Sequence, residues 1–304
     1  MRIYVTQPLP EPSLGELLPG ATIRVGESGI DEDELIGRVA EVEAILSTPP
    51  VPITARVLDA AHRVKIVANC AVGTDNIDLP ACRARGIVVT NTPGVLTEAT
   101  ADLAFALILA VTRRLREGEA LLRSGAWTGW KPLELRGVSL EGKVLGIYGA
   151  GRIGSAVARR AAAFGMTVFP VIDTDPPERF EELLRVADVL SIHAPLTPET
   201  RGRFGDAELG RMKPGSFLVN TARGPIVDEA ALVRALASGR LRGAGLDVFQ
   251  NEPKVHPGLA SRDDVVLLPH LGSATEEVRL SMARMACEEI ARAFRGEAPV
   301  NRVV

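Results

Sequence analysis

Residues 143–154 read KVLGIYGAGRIG: an apolar run, VLGIY, enters three glycines spaced GxGxxG at Gly149, Gly151 and Gly154, and the helical pattern SAVARRAAAFG follows at once. Alone the spacing says little, since glycine turns are common; between a strand and a helix it describes a cradle for a diphosphate. Glycine lets the backbone turn tightly and approach the pyrophosphate, while the amides and dipole at the helix N-terminus favour its negative charge. The stretch predicts a dinucleotide-binding unit on a parallel sheet.

The next strand pattern, TVFPVID, ends at Asp173, nineteen residues after Gly154. That is close to the ~20 at which an acid meets the adenosine ribose hydroxyls. Such an acid repels a 2′-phosphate and favours NAD, and DTDPPE offers no arginine before Arg179. Asp175 is a rival for the same role. Pro170 is unusual inside a central parallel strand, and the connection from Asp173 to FEELL is short, as if a small strand were missing, so NADP stays open.

Outward from the glycines, strands read at 144–148, 167–172, 188–193, 216–221, 243–248 and 264–268, with helical patterns between most of them. Six such strands suggest a complete dinucleotide-binding sheet. The first hundred residues alternate in the same way: RIYVT and SLGELL, TIRV and DEDELIGRVA, VEAIL and TARVLDAA, VKIVANC and DLPACRARG, then IVVTNT. Strict alternation predicts a second parallel sheet with helices on both faces. From Glu98 to about Arg123 the sequence reads as one long helix, with Thr97 as its cap. Its apolar content exceeds one face, which predicts burial between domains or subunits. A loop with Trp127, Trp130 and Pro132 follows. The closing segment TEEVRLSMARMACEEIARAFRG reads as a helix packing back onto the first domain.

The chain has 304 residues, 46% of them hydrophobic and 24% charged. That suits two globular domains with sizeable cores. A formal charge of −3 gives no general attraction to nucleic acid or to an anionic membrane. MRIYVTQPLP lacks the pattern of a signal peptide, and the longest apolar stretch, Leu103 to Val111, falls well short of the ~20 residues that span a bilayer. Cys70, Cys82 and Cys287 are widely spaced without a CxxC, so neither a disulfide framework nor a metal site is indicated. A reducing, cytoplasmic compartment is expected.

Three polar residues follow strands in the second half of the second sheet: Arg223 after SFLVNTA, Glu252 shortly after GLDV, and His270 after VVLLP. Ligands of open α/β sheets bind beyond the carboxyl ends of the strands, so all three point toward one region. Reduction of a 2-keto acid needs a fixed cation for the carboxylate, a proton donor for the carbonyl oxygen, and a group that tunes the donor. Arginine grips a carboxylate bidentately. Histidine donates and accepts a proton near neutral pH. A neighbouring carboxylate orients the imidazole and favours its charged form.

AVGTDNID, GIVVTNTPGVLTEATADLAFALILA, GKVLGIYGAGRIG, SIHAPLTPET, MKPGSFLVNTARGPIVDEAAL, GAGLDVFQNEP and LLPHLGSAT together resemble the D-isomer-specific 2-hydroxyacid dehydrogenase family over essentially the whole chain. The resemblance implies a flavodoxin-like substrate-binding domain, residues 1–98 with 276–304, and an inserted Rossmann NAD-binding domain, residues 99–275, both doubly wound α/β. It implies Arg223 as ligand of the substrate carboxylate and carbonyl, Glu252 as partner of the histidine, and His270 as acid/base. The backbone of Val72 and Gly73 would help hold the carboxylate. Arg152, Ile153, Pro195, Thr221, Ala222, Asp247 and Gly272 would line the cofactor, and His193 would lie near it without doing chemistry. His62 and His256 match no motif and are expected on the surface.

Within the family, VLTEATADLAFALILAVTRR and the WTGWKP loop look most like glyoxylate/hydroxypyruvate reductases, while LRGVSLEGKVLGIYG looks equally like D-3-phosphoglycerate dehydrogenases. With the chain ending at Val304, the regulatory domain of longer phosphoglycerate enzymes is not expected, which favours the reductase. The expected reaction is hydride transfer between a nicotinamide and a small 2-keto or 2-hydroxy acid in a homodimer, with domain closure excluding water. The contrasting class is a dinucleotide-sensing binding protein like the corepressors that share the triad. A buried, inert thiol is expected at Cys70.

Overall fold

A computed structural model describes residues 1–10, 14–27 and 29–304. The chain divides into two compact units, Met1–Leu96 with Ala274–Val304, and Thr97–Ser273. In the first, strands β1 (Arg2–Val5), β2 (Thr22–Val25), β3 (Ala44–Ser47), β4 (Ile66–Asn69) and β5 (Val88–Thr90) alternate with helices α1 (Leu14–Leu17), α2 (Glu32–Val39), α3 (Ala55–Ala60) and α4 (Leu79–Ala84). Ser13, first residue of the expected SLGELL helix, lies outside the described residues. Every pairing is parallel and the order is β2-β1-β3-β4-β5, the flavodoxin-like arrangement. AILS of β3 and IVAN of β4 are buried throughout, as strands covered on both faces must be. Asp31, Thr54 and Asp78 cap α2, α3 and α4 by accepting an amide three residues on, each worth about 1 kcal/mol.

The second unit opens with α5 (Thr97–Thr112) and α6 (Leu115–Arg123), then β6 (Val144–Tyr148), α7 (Arg152–Ala163), β7 (Thr167–Val171), α8 (Pro177–Val186), β8 (Val189–Ile192), α9 (Asp206–Arg211), β9 (Ser216–Asn220), α10 (Glu229–Ala237), β10 (Leu241–Leu246), α11 (Pro257–Ala260) and β11 (Val265–Leu267). All its strands are parallel. α12 (Glu276–Phe294), capped by Thr275, closes the chain and packs on α1, β3 and β4 of the first unit. No helix among the described residues is long and apolar enough to cross a membrane.

The structure corrects four readings of the second unit. The long helix is broken. Arg114 takes a left-handed conformation at φ 55°, and the Val138 amide takes the Thr112 carbonyl at 2.8 Å. The helix itself begins at Thr97, so that residue stands in the first turn and not before it. The apolar excess of α5 is spent within its own unit, against α7, β9, β10 and β11. Gly245 permits this closeness, since a Cβ there would stand 3.0 Å from Leu107 Cβ.

The six strands run β11-β10-β9-β8-β6-β7. The usual dinucleotide-binding order, 3-2-1-4-5-6, carries a third strand outside the second. Here α8 leads from β7 directly to β8 on the other side of β6, so β7 is an edge. Pro170 is therefore an edge-strand proline, where a missing amide hydrogen removes no ladder bond. Its carbonyl accepts from Arg179 Nη2 at 3.1 Å.

Candidate active site

The chain reverses direction across the sheet between β6 and β8, and the glycine turn follows β6 at that switch point. Gly149 sits at φ +96°, where side chains are rarely tolerated, and a Cβ would run into the His193–Ala194 backbone. A Cβ on Gly154 would strike the Gly149 carbonyl and stand 3.0 Å from Ile147 Cγ2. A Cβ on Gly151 meets nothing within 4 Å. Two glycines are thus needed by the fold, and one opens space before the first turn of α7. Gly151 caps that helix without a side-chain hydrogen bond, so the leading amides are available to an anion. This cradle fits the diphosphate of a dinucleotide.

The other cofactor candidates lie along the same carboxyl edge. Arg152 is exposed and Ile153 half-buried at the start of α7. Asp173 follows β7 and is exposed. Its rival Asp175 is already engaged: its carboxylate accepts the Ile172 amide at 2.9 Å and lies 3.6 Å from Arg179 Nε. Of the two acids, Asp173 is the one left facing solvent. His193 and Pro195 follow β8; the His193 ring bonds Ser191 Oγ at 2.8 Å, and loss of solvation lowers its pKa to about 4, so it is neutral at pH 7. Thr221 and Ala222 follow β9, and the buried Thr221 hydroxyl has no partner in the protein, which suits a ligand bound there.

The catalytic candidates are fixed by backbone bonds. After β9, Asn220 closes a turn by accepting the Ala222 amide at 3.0 Å and donating to the Arg223 carbonyl at 2.9 Å. Arg223 emerges from that turn half-buried. After β10, the Phe249 amide donates to Glu252 Oε1 at 3.0 Å, leaving Oε2 for His270. After β11, His270 takes a left-handed conformation at φ 57°. Asp247 holds that conformation. Its carbonyl accepts the His270 amide at 2.9 Å, Oδ1 the Leu271 amide at 2.6 Å and Oδ2 the Gly272 amide at 2.8 Å. Thr100 Oγ1 donates to the Gly272 carbonyl at 2.9 Å.

His270 Nδ1 and Glu252 Oε2 stand 3.0 Å apart. Burial alone would raise the Glu252 carboxyl, but the hydrogen bond and charge of His270, the Phe249 amide and the charge of Arg223 hold it below its ordinary value. Glu252 is therefore ionised at neutral pH and can steady a protonated imidazole. Burial pushes the fully enclosed Asp247 upward, against the Leu271 and Gly272 amides and the charge of His270; the Glu252 charge adds to the rise. The three residues singled out in the sequence are thus brought to one end of one sheet. Sequence reasoning placed Asp247 on the cofactor; its carboxylate is engaged by the backbone beside His270. Asn220 was missed altogether, though an asparagine at a strand end is a turn signal.

In the first unit, Val72 and Gly73 lie in the loop after β4. The loop carbonyls are held from within: Asn91 Nδ2 donates to Val72 O at 2.8 Å, Asn69 Nδ2 to Gly73 O at 2.7 Å, and Thr92 N to Ala71 O at 2.9 Å. Cys70 is buried and its thiol is pushed up to about 11, chiefly by burial, which makes it inert at neutral pH. His62 is exposed as expected. His256 is partly buried and caps α11, its Nδ1 accepting the Gly258 amide at 3.1 Å.

A cavity of about 610 Å³ lies at the opposite, amino ends of β9 to β11, lined by Arg114, Phe217, Arg242, Arg262 and Asp264 among others. Arg262 is paired with Asp264 at 2.7 Å and Arg114 with Glu117. It contains none of the candidate residues.

The family model for the NAD-binding domain of D-isomer specific 2-hydroxyacid dehydrogenases matches residues 105–272. A glyoxylate reductase of Thermococcus litoralis is 47% identical over 283 residues, covering 88% of this chain and 86% of the relative. One from Korarchaeum cryptofilum is 43% identical, covering 99% and 95%. Among solved structures, a Thermus thermophilus protein is 46% identical with a TM-score of 0.94 over 100% of both chains. With a phosphate cradle, an acid at the next strand end and a histidine–carboxylate pair on one sheet edge, this chain belongs to the NAD(P)-dependent D-isomer specific 2-hydroxyacid dehydrogenase family.

Proposed function

We propose that the enzyme reduces glyoxylate or hydroxypyruvate to the corresponding 2-hydroxy acid, with His270 as acid/base, Glu252 as its partner and Arg223 as the ligand of the substrate carboxylate and carbonyl. The observation that carries the reading is the 3.0 Å His270–Glu252 pair, electrostatically coupled to Arg223, on the carboxyl edge of the NAD-binding sheet. When bound, NADH or NADPH supplies the hydride that adds to the carbonyl carbon. His270 gives its proton to the carbonyl oxygen. Ionised Glu252 keeps Nδ1 occupied, so the other ring nitrogen, Nε2, faces the substrate oxygen. Arg223 neutralises the carboxylate and, as charge builds on the oxygen, stabilises the transition state. The Val72 and Gly73 amides are proposed as further carboxylate donors; the Ala71 carbonyl, held by the Thr92 amide, and the Val72 carbonyl, held by Asn91, turn the Val72 and Gly73 N–H groups to the opposite side of their peptides.

Glyoxylate is favoured because the relatives named for it match along nearly the whole chain. Exposed Asp173, with Asp175 engaged elsewhere, supports NADH as the preferred reductant, and the site residues Gly149, Gly151, Arg152, Ile153, Gly154, His193, Pro195, Thr221, Ala222, Asp247 and Gly272 are assigned to its binding. A homodimer is proposed through α6, the second half of the expected long helix, and the loop that follows. Leu115, Leu122, Trp127, Trp130 and Leu133 are all exposed there, Trp130 to 83%, and such a cluster of large apolar side chains marks a contact surface. Buried thiols at Cys70 and Cys82 support a reducing cytoplasmic setting.

The test follows nicotinamide absorbance with NADH and NADPH against glyoxylate, hydroxypyruvate, phosphohydroxypyruvate and a wider 2-keto acid panel. Turnover of the two short acids is expected, faster with NADH. Tight NADH binding without turnover of any acid would refute the reading and favour a binding protein.

A further inference from the structure

We infer that Glu229 is a positioning residue that holds the loop carrying Glu252 in register with His270; the inference rests on the proposed reductase chemistry. Glu229 is the first residue of α10, where an acid is ordinarily read as a partner for the helix dipole. That work is done by its neighbour: Asp228 Oδ1 accepts the Ala230 amide at 2.9 Å and the Ala231 amide at 3.1 Å. The Glu229 side chain turns inward instead, and the residue is only 5% exposed. Its Oε1 accepts the Gln250 amide at 2.7 Å. A carboxylate so enclosed requires such a partner, and this partner lies two residues from Glu252.

The loop needs an anchor. Gln250, Asn251 and Glu252 are all exposed, and Glu252 reaches His270 by one carboxylate oxygen while the other is turned back on Phe249. From the other side the loop is braced by Gly224, whose missing side chain lets the turn after Arg223 lie directly on the Phe249–Gln250 peptide. Glu229 and Gly224 thus grip one peptide unit between them. Arg223 projects from one side of that contact and Glu252 from the other, so its position sets their spacing.

Glu229→Ala leaves the Gln250 amide without its acceptor and frees the loop. A misplacement near 1 Å in a catalytic array costs on the order of 100-fold, so kcat is expected to fall about 10- to 100-fold. The Kd for NADH should stay within about twofold, because the glycine turn after β6 is untouched. Glu229→Gln keeps an oxygen at the same reach and should stay within about threefold of the wild-type kcat. In an E252Q background the E229A change should add nothing, since it acts through Glu252. Should E229A not accumulate as folded protein, Glu229→Asp, one methylene shorter, is read in the same way.

An equal loss of kcat with and without E252Q, or a parallel loss of NADH affinity, overturns the inference by showing a general structural effect. A wild-type protein without turnover sinks the reductase reading instead. The positioning role is then decided by the His270 ring C2–H resonance at neutral pH: displaced in E229A toward its E252Q position if Glu229 works through Glu252, unmoved if it does not.

Discussion

Replacing Gly151 by alanine tests the cradle, because the three glycines of the turn have separable physical reasons. Gly151 sits at φ −72° and ψ −158°, a region open to any residue, and an added Cβ meets no atom within 4 Å. The fold should scarcely register the change. Exchanging glycine for alanine at a helix cap costs about 0.5 kcal/mol, roughly 1–2 °C of Tm for a unit of this size. The added methyl instead enters the space where a diphosphate must approach the leading amides of α7. Losing one charge-assisted hydrogen bond costs about 1.5–3 kcal/mol, so the Kd for NADH should rise about 10- to 150-fold. Gly154→Ala should behave in the opposite sense. Its Cβ overlaps the Gly149 carbonyl and crowds Ile147, and overpacking of this kind costs about 1–3 kcal/mol before any cofactor is added. Thermal unfolding without cofactor and NADH fluorescence titration of both variants make the measurement. A Gly151→Ala protein that binds NADH like the wild type would show that the diphosphate does not lie at this turn, and one that unfolds as early as Gly154→Ala would show that the two glycines do not serve separate purposes.

Further outcomes follow from the same geometry. Steady-state assays of His270→Ala should show kcat reduced about 10²- to 10⁴-fold, the usual span for a lost acid/base, while Arg223→Ala should act mainly on kcat/KM for the keto acid with NADH affinity kept. In the proposed reaction the proton comes from His270, so keto-acid reduction should decline toward alkaline pH and 2-hydroxy-acid oxidation should rise; parallel profiles in the two directions would contradict that role. The Glu252 carboxyl is held below its ordinary value, and a depressed folded value contributes stability above the unfolded pKa of about 4.3 that is lost as pH falls through the folded value. The stability gap between wild type and Glu252→Gln, read from denaturant unfolding, should therefore narrow on acidification below about pH 4. Trp130→Glu should sediment as a monomer where the wild type sediments as a dimer; a wild-type monomer would remove the proposed interface.

Much of this architecture is legible in the sequence because it is written in short-range patterns. GxGxxG after VLGIY announces its turn by residue type alone, since no other residue serves at φ +96° beside the next strand's backbone. The runs AILS and IVAN announce buried parallel strands by three apolar residues in a row, each closed by one polar residue, Ser47 and Asn69, which bond each other at 2.9 Å. Arg223, Glu252 and His270 were readable together because each stands just beyond a strand, and parallel strands of one sheet deliver their ends to one edge. What the patterns miss depends on spatial order. Pro170 reads as an anomaly until β7 proves to be an edge, and strand order is a property of the crossovers, not of the strand. The break at Arg113–Arg114 is equally silent, because the group that takes the Thr112 carbonyl is the Val138 amide, 26 residues away along the chain.

The same reasoning explains why the side chains that appear as site residues and those that build the site are so unevenly visible. His270 and Arg223 betray themselves by rarity and charge at a strand end. Asp247, Asn220 and Glu229 act on backbone amides and carbonyls, and every residue has those, so no partner is marked in the sequence. Asp247 is the sharpest instance: a left-handed His270 costs about 1–2 kcal/mol, and three bonds from one buried residue offset it while aiming the imidazole at Glu252. Had the histidine been held by side chains alone, its ring would be free to follow solvent, because the pair itself is 38% exposed on each side and surface pairs of that kind contribute little. The precision of the His270–Glu252 contact must therefore come from the backbone beneath it, and in the proposed chemistry the acids that fix that backbone count as much as the groups assigned to carry it out.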